Sequence, residues 1–278
     1  MRSGFCFLRI VFVVIAAALS IGWSEGAVRH VAWSAVDFFP SDLERHVRLN
    51  HRRYDQGIKR GMQAPPSWRA GSPGSLAAAL ETQIDRCASA LKKPVPLGDL
   101  VEELGFLSVL VLDANDPLAV IHADHREPQY SGGYRSYVDT ILARMRLVYY
   151  GQDRDLMLGL GSGPTIQRAF LRSEELYPFI GDEFYRTGTL RNWKSFDDRS
   201  IAFGVAAVSL SRAMTDITNF SIYVWKQGGG AVPTPRPTPV GHTGPTVILA
   251  LDGGFPENEV NGRGAPVMPR SNLQLPPP

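Results

Sequence analysis

Asp113 is the one charged residue between Leu104 and Asn115, a stretch otherwise made of aliphatic, aromatic and small side chains. A carboxylate in such company is costly to bury unless it is paired or binds a metal. The Asn115-Asp116-Pro117 that follows marks the end of a helix. Just beyond it, His122, Asp124 and His125 form a metal-type cluster that could reach back to Asp113, although a solvated loop is the commoner fate of such residues. His46 and His51 fall among Arg45, Arg48, Arg52, Arg53, Lys59 and Arg60. That basic helix face could meet an anionic head group or a phosphate, or simply lie in solvent. The run Gly159-Leu160-Gly161-Ser162-Gly163-Pro164-Thr165 lacks the Gly-Lys-Ser/Thr ending of a phosphate loop and follows no clear strand, so it reads as a connector. Gly161-Ser162-Gly163 is too short for a nucleophile elbow.

The elements that must position these groups are helical. Apolar residues at 28, 31, 32, 35, 36 and 39 predict a helix over Val28–Phe39, closed by Pro40. A second helix is predicted from Leu43 to Met62, a turn-rich loop from Gln63 to Gly74, and a third helix over Ser75–Lys93. Leu97–Leu118 is apolar on every side, which makes it the central helix. A polar loop to Gly133 and a helix over Tyr134–Tyr150 come next. For residues 151–199 we expect short helices and long loops, because the aromatic residues there show no clean period. Ser200–Gln227 recovers a long helix. With no convincing strand before the tail and no internal repeat, the fold class is all-α.

Both ends of the chain differ from this middle. Arg2 and Arg9 precede the apolar run Ile10–Ile21, the layout of a secretory signal, and the run is shorter than the roughly 20 residues that span a bilayer. Cleavage after Ser20, Gly22 or Gly26 would each satisfy a signal peptidase; the second choice makes residues 1–22 the signal and Trp23 the new amino terminus. Cys6 leaves with the signal, and Cys87 alone remains, so no internal disulfide forms. The formal net charge of +2 drops to zero with Arg2 and Arg9, leaving no global electrostatic case for nucleic acid. Residues 23–228 suffice for one domain. Residues 229–278 are a Pro/Gly-rich tail broken by Thr246-Val247-Ile248-Leu249-Ala250-Leu251, a candidate short strand.

The chain resembles the secreted zinc-dependent phospholipases C and the related fungal-type single-strand nucleases over most of residues 23–228. That resemblance implies an all-α frame around a metal cleft, an amino-terminal Trp whose amine and carbonyl bind metal, and a nearby His; Trp23 and His30 look like that start. On the family's central helix a His and an Asp lie four apart, on one face. Here Val109 stands for that His, Asp113 keeps the Asp, and Ala119 replaces the next His. Ser131 and Arg135 fall where a further His and acid belong, and Asp55 and Arg69 near an early Asp and its later His. The resemblance therefore leaves one set, Trp23, His30 and Asp113. An amine, an imidazole and a carboxylate can hold one zinc ion with an open position, provided cleavage frees the Trp23 amine. A metal-bound hydroxide could then attack a phospholipid or other phosphodiester, weakly without the companion metals. Against this stand pairing of Asp113 with Arg144 or Arg146, and a non-catalytic binding or scaffold protein that keeps only the helical core.

Overall fold

The computed structural model describes residues 22–64, 73–92 and 96–232. Most of the expected signal segment, Arg69, and the tail with its candidate strand lie outside the described residues. Every regular element among the described residues is helical, as an all-α reading requires. Helix α1 spans Glu25–Val36, and the Ser24 hydroxyl caps it by accepting from Ala27 N at 3.1 Å. The long second helix expected from the sequence is two: α2 (Ser41–Leu49) and α3 (His51–Met62). The break is Asn50, at φ −108° and ψ 30°, whose backbone and side-chain N–H groups both donate back to His46 O and so end the first helix.

Helix α4 spans Pro73–Leu91, and α5 spans Leu97–Ala114. From Leu104 to Val120 every residue is buried, which makes α5 the centre around which α1, α3, α4 and the helix over Ile201–Gln227 pack. A four-residue helix α6 (Pro117–Val120) follows, capped by Asp116. The next helix starts earlier and ends earlier than the sequence suggested: α7 spans Glu127–Ile141, with Pro128 in its first turn. After a 3₁₀ turn at Leu142–Arg144, residues 145–153 are not helical.

The larger correction is in residues 151–199. After the short α8 (Arg154–Leu158), the 23-residue helix α9 (Gly163–Tyr185) stands where we expected only short helices and long loops. The connector between them does turn, on Gly159 at φ +75° and Gly161 at φ +94°. Helix α10 (Ile201–Gln227), capped by Ser200, closes the domain. Length and composition alone would let α10 cross a membrane, but 67% of its most apolar window is buried inside the protein, as befits a core helix.

Three polar side chains one helical turn apart on α10 explain the non-helical stretch. Ser211 Oγ accepts from Val148 N (3.1 Å), Thr215 Oγ1 from Tyr150 N (3.0 Å) and Asn219 Oδ1 from Asp153 N (3.1 Å), while Asn219 Nδ2 donates to Gly151 O. Four helical residues rise about 6 Å and two extended residues about 6.6 Å, which matches the step from Val148 to Tyr150; the step from Tyr150 to Asp153 takes three residues and passes through Gly151 at φ +98°. Thr215→Val removes the middle acceptor and orphans Tyr150 N–H. It is expected to cost about 1–3 kcal/mol in urea unfolding.

Candidate functional site

The structure places Trp23, His30 and Asp113 in three different surroundings. Asp113 is 0% exposed near the end of α5 and has an interaction of its own there. His30 is exposed on α1, whose buried face is made by Ala27, Val28, Val31, Ala32, Ala35 and Val36. It faces a shallow depression of about 420 Å³ shared with Arg29 and Arg48, both cations. Trp23 is buried against Tyr134, with ring centroids 6.1 Å apart, and its Nε1 has no hydrogen-bond partner. The guanidinium of Arg135 lies 5.8 Å from the Trp23 ring and donates to Asp116 Oδ2 at 2.8 Å. The His30 side chain is thus open to solvent, the Asp113 carboxylate is enclosed, and a guanidinium lies over the indole of Trp23. Among the described residues no three His, Cys, Asp or Glu side chains converge in a metal-type group.

The other positions that the resemblance singled out have structural partners of their own. Val109 is fully buried where α5 crosses α3, packed beside Gly61, and Ala119 is buried too. Asp55 accepts from Arg29 (2.8 Å) and from Trp33 Nε1 (3.0 Å). Asp113 is not joined to Arg144, which pairs with Asp198 at 3.1 Å, and Arg146 is exposed.

Other enclosed carboxylates were not singled out by sequence as candidate site residues. Asp216, in the middle of α10, is buried and bonded to Arg172 Nη2 (2.6 Å) and Asn115 Nδ2 (3.0 Å); its burial raises its pKa above the ordinary carboxylate value against the pull of those partners. Asp116 pairs with Arg135, and Glu183 with Arg191 and Ile201 N. The signal for Asp216 was the same as for Asp113, a carboxylate inside an apolar helix.

Of the His122, Asp124 and His125 cluster, His122 Nδ1 bonds to Glu127 at 2.9 Å, and Arg126 grips Asp124 with two nitrogens. That grip is the main cause holding the Asp124 carboxyl below its ordinary pKa. The side chain of His125 is 92% exposed, so these residues form a rim and do not turn toward Asp113. Asp124 and His125 border a cleft of about 490 Å³ floored by Tyr130, Tyr177 and Ile121 and flanked by Glu174, Pro178 and Asp182 of α9. Tyr177 Oη accepts from Asp124 N and donates to Glu127, both at 2.8 Å, which fixes the floor. Pro178 has no N–H to give the Glu174 carbonyl, so that oxygen is a further acceptor there. Half of the arginines and lysines on the basic face of α2 and α3 are paired: Arg48 with Asp37 and Glu44, Arg53 with Glu102, and Arg60 with Glu102 and Glu103. The chain matches no protein-family model and no curated protein.

Proposed function

We propose that this chain is an exported, non-catalytic binding or scaffold protein that keeps the helical frame of the zinc-dependent phospholipase C and nuclease type without its metal chemistry. The observation that carries this reading is the setting of the expected ligands: His30 exposed on α1, Asp113 enclosed in α5, and a guanidinium over the indole of Trp23. Export rests on the charged-then-apolar layout of residues 1–22. Recognition is best supported at the cleft under Asp124 and α9, where an aromatic floor and several polar groups converge in one concavity.

Metal analysis of the purified chain tests the reading. We expect no stoichiometric zinc, and no hydrolysis of phospholipid or single-stranded nucleic acid above a heat-inactivated control. About one zinc per chain that disappears in His30→Ala, a substitution the exposed position tolerates, would overturn it. Intact mass of the exported form locates the cleavage point independently.

A further inference from the structure

The long helices α9 and α10 pack along each other and bring two arginines together. Arg172 of α9 uses Nη2 on Asp216, while its Nε is buried and has no hydrogen-bond partner. Arg212 of α10 reaches across to donate from Nη1 to the Arg172 carbonyl oxygen at 3.2 Å. Among the described residues it forms no ion pair; Glu175 is within electrostatic range but beyond pairing distance. Burial first, and then the neighbouring Arg172, lower the pKa of Arg212. Two guanidinium groups thus share one carboxylate, Asp216, which sits deeper and is also bonded to Asn115. A half-buried pair of like charges is unfavourable unless an anion offsets it.

We propose that Arg172 and Arg212 form a binding site for a singly charged oxyanion, a carboxylate or a phosphate diester, that enters from solvent. The Arg172 side chain is 31% exposed and Arg212 is half-buried, so the pair is open on one side. Planar guanidinium forks favour the paired oxygens of such a group over a spherical halide. Asp216 pairs with Arg172, and for Arg212 only the more distant Glu175 and Asp216 offset its charge, so a bound anion adds the close partner that Arg212 lacks. The site is distinct from the cleft, since α9 turns Arg172 to α10 and turns Glu174, Pro178 and Asp182 elsewhere. It stands or falls without reference to diester hydrolysis.

The test follows the Nε–H resonances of Arg172 and Arg212 in the whole chain while acetate or dimethyl phosphate replaces sodium chloride at constant ionic strength. A saturable shift with acetate alone supports a carboxylate ligand, with dimethyl phosphate alone a diester, and with both the shared oxyanion chemistry. Arg212→Gln is expected to weaken binding about tenfold or more, and Arg212→Lys to keep it within a few-fold. No saturable shift in the wild-type chain, an equal response to chloride, or unchanged affinity in folded Arg212→Gln would overturn the proposal.

Discussion

Gly57→Ala and Gly105→Ala are each expected to destabilise the domain by about 3 kcal/mol or more, the upper end of what overpacking costs. In an ordinary helix the sign is opposite, because alanine is the better helix former by about 1 kcal/mol. Here α3 and α5 cross with backbone against backbone. A Cβ on Gly57 would run into the Glu102 carbonyl and stand 2.9 Å from Phe106 N; one on Gly105 would run into the Tyr54 carbonyl and stand 3.1 Å from Ile58 N. Main-chain atoms in two packed helices cannot swing aside as a side chain would, so the helices must separate. Separation also breaks the hydrogen bond between Tyr54 Oη and Ser108 Oγ at 2.9 Å and the packing of Val109 beside Gly61. The two substitutions relieve themselves by the same movement, so the double variant should lose clearly less than the sum of the single losses. Urea unfolding of all three variants measures this. Wild-type stability in either single variant would mean that the helices are farther apart than described.

That crossing also shows which parts of the fold could be read in the residues. The central place of α5 was legible because a helix apolar on every side has to be enclosed, and all of Leu104–Val120 is. The glycines that let α3 approach it were not, since a glycine in a helix gives no sign of what lies opposite. Helix α9 was missed for a related reason: its buried face includes Thr165, Ser173, Gly181 and Glu183 beside the aromatic residues, and Pro178 interrupts it, so the apolar period is diluted. The break at Asn50 depends on one side chain bonding to its own helix, a choice that local composition leaves open. At the candidate site the acids could be found in sequence but their partners could not. Asn115 meets Asp216 from 101 residues away, and Arg172 from 44. A position read as a lost ligand, Arg135, proves to be the cation that answers a different carboxylate, Asp116.

Arg135→Met is expected to cost about 3–5 kcal/mol, the range for stripping one member from a buried ion pair. Asp116 is 0% exposed, and after the substitution the Leu118 amide, which it caps at 3.0 Å, would be the hydrogen bond remaining to its carboxylate. Asp116→Asn keeps that cap and removes the charge. The double variant Asp116→Asn, Arg135→Met should therefore recover a large part of the loss, because a neutral amide beside a methionine has no uncompensated charge to hold. Arg135→Lys should fall between, retaining the charge without the planar fork that spans Asp116 and the Trp23 ring. The same series bears on the proposed function. If Arg135 supplies the positive charge at the start of the domain, its removal weakens the fold whether or not zinc is present, and added zinc restores nothing. Loss of less than about 1 kcal/mol, the value of an exposed pair, or rescue of Arg135→Met by zinc, would mean that Asp116 and Trp23 can accept another cation in its place, and the case for metal chemistry in this chain would reopen.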